Sequence, residues 1–128
     1  MNDTPVLVEI SIGELFDKIS ILEIKNEKIS DAAKLTNIQT ELETLESVAE
    51  KIEQDPEVIE LRAELKAINE ALWVIEDDIR ECEGRSDFGD EFIQLARAVY
   101  VTNDKRAVVK RKINELTGSR LVEEKDYC

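Results

Sequence analysis

Apolar side chains recur every three or four positions along most of the chain, and this periodicity constrains the fold more than any other feature. The spacing follows the α-helical turn of about 3.6 residues and gathers the apolar side chains on one face. Only four glycines and two prolines interrupt the 128 residues. We therefore predict an all-α fold, an antiparallel bundle or helical hairpin of three to four long helices that form a single domain over residues 1–128.

The first half of the chain contains signals for two helix starts. Ser11 and Glu14 have the spacing of a capping box, in which each side chain bonds the other residue's backbone amide. The apolar phase shifts after residue 29, and Ser30 or Asp31 is placed to cap a new helix there. The predicted helices are about 11–30 and 31–54, and one continuous helix with a stutter is the alternative. The second of them carries a coiled-coil-like seam of Leu35, Ile38, Leu42, Leu45, Ala49 and Ile52.

The second half of the chain contains clearer boundaries. Asp55 before Pro56 is an N-cap followed by the residue type that favours the first helical position. The polar stretch after Glu83 breaks the pattern, and Ser86 or Asp87 is placed to cap the last helix. Gly118 has the position of a glycine that ends a helix. The predicted helices are about 56–83 and 88–117.

Two short segments near the termini are richer in β-prone residues than the rest. They are PVLVEI at residues 5–10 and RLVEEK at residues 120–125. We expect the two segments to pair as a short β-ribbon, which needs packing against the helices to be stable.

Composition excludes several classes of function. Thirty acidic against 17 basic residues give a net charge of −13, which disfavours general nucleic-acid binding and contact with anionic lipid. No apolar run is long enough to span a bilayer, and the N-terminus lacks the features of a signal peptide, so we expect a cytoplasmic location. The chain has no histidine and two cysteines, Cys82 and Cys128, which excludes histidine-dependent catalysis. We assign no cofactor and no metal ligands.

Several polar side chains fall on the apolar faces of the predicted helices. On the last helix Arg106 lies at the centre of the apolar arc, and Asn103 and Lys110 lie near its edge. A buried charge without a partner is costly, so these groups are expected to meet polar groups of the other helices. The remaining members of the set are Glu23 and Asn26 on the first helix and Asn69, Trp73, Glu76 and Arg80 on the third.

This polar set has a structural and a functional interpretation. As a structural network, it fixes the register of the helices in an interaction or oligomerisation module. As a site, it belongs to a small-molecule-binding protein or an enzyme acting on an anionic, phosphorylated or sugar-derived substrate. Arg106, Lys110 and Arg80 then bind the anion, and Glu23 or Glu76 acts as acid, base or metal ligand.

A magnesium-dependent version of the site relies on carboxylates alone. The helices carry several acidic side chains of the kind that bind magnesium, but none forms a sharp ligand motif. The carboxylates in question are Glu14, Asp17, Glu23, Glu76, Asp77 and Asp104.

Two helices have apolar residues on a second side. Ile21 and Ile24 lie opposite the main face of the first helix, and Ile93, Val101 and Val108 form a second edge on the last helix. A helix with two apolar sides is either central in a bundle or part of an interface. We therefore expect a homodimer or another homo-oligomer, and a different protein is a further candidate partner.

Three segments carry a resemblance to a known family. They are IGELFDKISILEIK, LWVIEDDIR and LARAVYVTNDKRAVVKRKINELTGSRLVEEK. Together they resemble an uncharacterised family of small bacterial proteins, domain of unknown function 6165, over residues 8–127. The resemblance implies a bacterial or phage origin and an association with sugar-transfer or surface-glycan functions. It carries over no functional residue, because the family defines none.

Overall fold

The computed structural model describes residues 4–124, and within that range the chain consists of four α-helices joined by short connections. The all-α prediction is confirmed. The interruptions between the helices lie close to the predicted positions, including the one between the first two helices. The helices are α1 (Ile12–Lys28), α2 (Ala32–Ala49), α3 (Pro56–Gly84) and α4 (Asp90–Thr117).

Side-chain caps define three of the helix starts. Ser11 accepts a hydrogen bond from the Glu14 amide, Asp31 caps α2, and Asp55 accepts from the Val58 amide. Each cap satisfies a backbone N–H that has no partner inside the helix. The expected cap of α4 was wrong. The N-cap position is Gly89, where no side-chain cap forms, and the Gly89 amide donates to Asp87 Oδ1, just before the helix begins.

Helix α1 lies at the centre of the bundle and contacts each of the other three helices. This arrangement accounts for the apolar residues on its two sides. Helix α2 packs against α1 alone, whereas α3 and α4 form a long antiparallel hairpin across the other side of α1. The core lies where these elements meet and includes Phe16, Ile19, Leu65, Val109 and Ile113.

The α3–α4 hairpin extends well past this core. Helix α3 has 29 residues and α1 has 17, which correspond to lengths of about 43 Å and 25 Å at the helical rise of about 1.5 Å per residue. We call residues 74–101 the distal arm. Cys82 is its one buried side chain, and its other apolar residues are half-buried or exposed. The arm is therefore a two-helix projection with a thin apolar interior.

The expected β-ribbon at the termini is absent from the described residues, and residue 125 lies outside them. The two segments do lie side by side, but they contact each other through hydrogen bonds that involve side chains. Arg120 donates from Nε to Glu9 Oε2 over 2.8 Å, and the Ile12 amide donates to Ser119 Oγ over 3.1 Å. The Ile12 amide, in the first turn of α1, thus has a side-chain partner instead of a partner in a strand ladder.

None of the described helices is both long and apolar enough to cross a membrane.

Candidate functional site

A buried chain of polar groups joins α1, α3 and α4. Asn69 Nδ2 donates to Asp17 Oδ1 and to Ser20 Oγ, both over 2.8 Å. Arg106 Nη1 donates to Asn69 Oδ1 over 3.2 Å, so a single amide connects all three helices. Asp17, Ser20 and Asn69 are no more than 5% exposed. We call Asp17, Ser20, Asn69 and Arg106 the polar seam.

Lys110 supplies a second cation beside the seam. Its Nζ lies 2.5 Å from Glu14 Oε2 and 4.0 Å from Asp17 Oδ2. Lys110 therefore faces both carboxylates of the first two turns of α1. Only half of the capping box forms. Ser11 caps the Glu14 amide, but the Glu14 carboxylate accepts a hydrogen bond from Lys110 instead of reaching back to the start of the helix.

The start of α1 lies unusually close to α4. The Gly13 amide donates to Asn114 Oδ1 over 2.6 Å, in a fully buried contact. A Cβ atom at position 13 would lie 2.6 Å from the Lys110 carbonyl oxygen, so only glycine fits there. Asn114 Nδ2 is buried without a hydrogen-bond partner among the described residues. The contact fixes α1 against α4 next to the seam.

Two members of the predicted polar network lie elsewhere. Glu23 lies between α1 and α3, 3.9 Å from Lys66 Nζ, and Asn26 is exposed and accepts a hydrogen bond from Gln39. A single helical wheel placed both residues on the inner arc of α1. Helix α1 is contacted by other helices on several sides. Its buried polar residues therefore lie on a different stripe from the one that the wheel selected. The network as predicted is therefore corrected at these two positions.

Burial raises the pKa of the Glu23 carboxyl above its ordinary value of 4.5, and the nearby Lys66 ammonium only partly opposes this effect. As the pH rises from 4.5, the unfolded chain loses this proton before the folded chain does, so the fold loses stability over that window. We expect Glu23→Gln to flatten this pH dependence.

At neutral pH the same variant should be slightly more stable than wild type. The carboxylate is partly exposed, so the gain should stay below about 0.5 kcal/mol. Urea unfolding at several pH values measures both effects. A variant that loses stability at neutral pH would show that the contact with Lys66 outweighs burial.

A cleft of about 260 Å³ opens beside the seam, between α1, α3 and α4. Asn69 and Arg106 lie at its inner end, and Trp73, Glu76 and Arg80 line it further along α3. Five residues of the predicted set therefore share one surface. Ile21, Ile24 and Leu72 also line the cleft and are apolar.

Several charged groups of the cleft have no partner of opposite charge among residues 4–124. Glu76 and Arg80 make no hydrogen bond or ion pair with any described residue, and Arg106 bonds only the neutral amide of Asn69. Guanidinium groups bind carboxylates and phosphates well, and an indole ring offers a flat apolar wall. The cleft is therefore suited to a small ligand that combines an anionic group with an apolar part.

The remaining predicted residues are not part of this cleft. Lys110 is engaged by Glu14, and Asn103 is half-buried without a hydrogen bond to a described residue. The carboxylates considered for magnesium do not gather either. Among residues 4–124, no group of three or more acidic or cysteine side chains is arranged to hold a metal ion.

The prediction missed Asp17, Ser20 and the contact between Gly13 and Asn114. A signal for them does exist in the sequence. Gly13, Asp17, Ser20 and Ile24 follow one another at spacings of four, three and four, which is the spacing of a helix face. A stripe of small and polar residues at helical spacing can indicate a close contact between helices, just as an apolar stripe can.

The fold and the seam together define a class of protein, a four-helix all-α protein whose central helix is joined to a long hairpin by buried polar groups. One family model, described as a family of unknown function (DUF6165), matches residues 6–128, and the chain belongs to that family. The resemblance seen in the three sequence segments is thus confirmed. No curated protein and no solved structure matches the chain.

Proposed function

We propose that this protein is a cytoplasmic helical scaffold that associates with a second copy of itself through the distal arm. The observation that carries the proposal is the exposure of large apolar side chains along the arm. Val74, Ile93, Tyr100 and Val101 are each about half exposed, between 47% and 55%. A two-helix projection buries too little apolar surface to be stable alone, so a covering partner explains these residues.

The closed character of the polar seam supports a scaffold. Asn69 uses its amide oxygen and nitrogen for bonds to Asp17, Ser20 and Arg106. Lys110 is held by Glu14 in the same region. Groups that satisfy one another fix the register of the helices, which is the best-attested role of buried polar groups in bundles.

The charge distribution supports a second copy as the partner. Residues 76–91, at the tip of the arm, contain eight acidic and two basic side chains. Residues 97–112, further along α4, contain six basic and one acidic side chain. Arg106 and Lys110 face the seam, and the other four basic residues are exposed. Two copies that pair in opposite directions bring the acidic tip of one to the basic stretch of the other. Complementary charge of this kind selects both partner and orientation.

Sedimentation equilibrium of the wild-type protein tests this proposal. We expect the mass of two 14.6-kDa chains at micromolar concentrations, with dissociation on dilution. Raising the salt concentration should shift dissociation to higher protein concentration, because salt screens the attraction between the acidic tip of one copy and the basic stretch of the other. A mass of 14.6 kDa at every concentration would reject the self-associating scaffold.

A second candidate function is the binding of a small anionic ligand in the cleft. The guanidinium groups of Arg80 and Arg106, which form no ion pair with any described residue, lie beside Trp73 and favour it. Trp73 is the single tryptophan, so its fluorescence reports on the cleft alone. A panel of phosphorylated sugars, with inorganic phosphate for comparison, should change this fluorescence in the wild type and not in Arg106→Met. No saturable change with any of them would reject this candidate.

A further inference from the structure

The outer side of α4 carries an ordered pattern of apolar and charged residues. At about 100° of rotation per residue, eight exposed positions fall within an arc of about 100°, opposite the side that faces the core. All eight are exposed. We call them the outer face of α4, and they are Asp90, Ile93, Arg97, Tyr100, Val101, Asp104, Val108 and Arg111.

This face is complementary to itself when two copies run antiparallel. When the midpoint of the paired helices lies between positions 100 and 101, Tyr100 of each copy faces Val101 of the other. Ile93 then faces Val108, so apolar side chains meet on both sides of the midpoint. The apolar contacts recur about every two helical turns, and the charged positions 97 and 104 lie between them.

The charged positions obey the same symmetry. Arg97 faces Asp104 of the second copy, and Asp90 faces Arg111. Arg97 makes no ion pair with a described residue of its own chain, so its charge is available for this contact, whereas Asp104 already has an interaction within its own chain. In a parallel pair each residue would meet its own type, and Arg97 would face Arg97. The order of charges along α4 therefore specifies the antiparallel direction.

We propose that two copies of this chain pair through the outer face of α4, antiparallel, about a two-fold axis between Tyr100 and Val101. This inference rests on the proposed self-association and adds its surface, direction and register. A closed two-fold pair uses the same surface on both partners, which requires the self-complementary pattern seen here. The same register lays the acidic tip of each arm beside the basic stretch of the other α4.

The Arg111 contact contributes least to this pair. Arg111 is already bonded to Glu124 over 2.8 Å and to Glu115 over 3.4 Å within its own chain. The contact between Arg97 and Asp104 lies closer to the axis and is flanked by the apolar positions. It is therefore the contact on which the test is built.

Charge reversal at these two positions tests the register. The two-fold axis makes each contact occur twice, so Arg97→Asp creates two like-charge contacts per pair, and so does Asp104→Arg. We expect each variant alone to weaken self-association by about tenfold or more in sedimentation equilibrium. Mixed in equal amounts, the two variants should form a heterodimer of nearly wild-type strength, since every contact again joins opposite charges.

Controls separate this effect from misfolding and from net charge. Both variants should keep the helicity and melting temperature of the wild-type monomer by circular dichroism. Lys34→Glu changes the net charge as much as Arg97→Asp, but on α2, which packs against α1 alone, and it should leave self-association unchanged.

The outcomes distinguish the inference from the function on which it rests. A wild type that is always monomeric overturns both. A wild type that dimerises while the single variants dimerise equally well, or while their mixture fails to recover, overturns the proposed register alone. Recovery on mixing supports the antiparallel pair.

Discussion

Replacing Asn69 with alanine is expected to lower the free energy of unfolding by about 2–4 kcal/mol, because it removes the group that joins three helices. The Asp17 carboxylate would lose its hydrogen bond from Asn69 Nδ2, and Lys110 Nζ, at 4.0 Å, would be its nearest cation. Asp17 is 5% exposed, so only water that enters from the cleft lined by Asn69 can replace the lost donor. Arg106 would also lose its acceptor on α3. Urea unfolding of Asn69→Ala against wild type measures the loss.

Asn26→Ala is the matched control for this prediction. It deletes the same side chain from an exposed position, where the amide only accepts a bond of 3.3 Å from Gln39. Its effect should stay within about 0.5 kcal/mol. If the two variants lose equal stability, or if Asn69→Ala loses none, the seam does not hold the helices together.

Replacing Gly13 with alanine is expected to destabilise the fold by about 3 kcal/mol through overpacking. The added Cβ would lie 2.6 Å from the Lys110 carbonyl oxygen and 3.0 Å from Asn114 Oδ1. The first contact is with helix backbone, which cannot move aside as a flexible side chain can. The start of α1 must then separate from α4 and stretch the bond between the Gly13 amide and Asn114. Thermal and urea unfolding both report this loss.

Gly84→Ala provides the opposite result as a control. Gly84 is the last residue of α3, and a Cβ there has no atom within 4 Å. Alanine in a helix is favoured over glycine by up to about 1 kcal/mol, so this variant should be as stable as wild type or more so. A Gly13→Ala variant with wild-type stability would mean that α1 and α4 are not in the close contact described.

The local part of this fold was predictable, because helix starts depend on neighbouring residues. Asp55 before Pro56 and Ser11 before Glu14 specify caps without reference to the rest of the chain, and both caps form. The start of α4 was predicted at the wrong position because no side-chain cap marks its first turn. The predicted ribbon failed because β propensity depends strongly on context, and the Ile12 amide donates to the Ser119 side chain instead of to a strand.

The candidate site was only partly predictable, because it depends on how helices are placed relative to one another. The helical wheel selected Asn69 and Arg106, since both lie on the main apolar side of their helices and meet each other there. It failed for Glu23 and Asn26, because α1 is central and has more than one inner side. Asp17 was considered only as an acidic ligand, yet its carboxylate is the main acceptor of the seam.

The two sides of α4 differ in character. The inner side holds the seam and the core through Arg106, Val109 and Ile113. The outer side is exposed and carries the self-complementary face, on which Asp104 and Arg111 also interact within their own chain. In the proposed pair, one helix would connect the internal register to the assembly. A change in the seam that shifts α4 along α1 would also shift the face presented to the second copy.

Distances between spin labels on the two copies test the central claim most directly. Labels at Gln94 or at Lys112, each in a Cys128→Ser background where Cys82 is buried, lie on exposed positions of α4. About the proposed axis, the two Gln94 labels should be separated along the helix by about 20 Å and the two Lys112 labels by about 35 Å. Pulsed dipolar spectroscopy that shows this increase would support the antiparallel pair. Equal separations at both positions, or no coupling between copies, would contradict it.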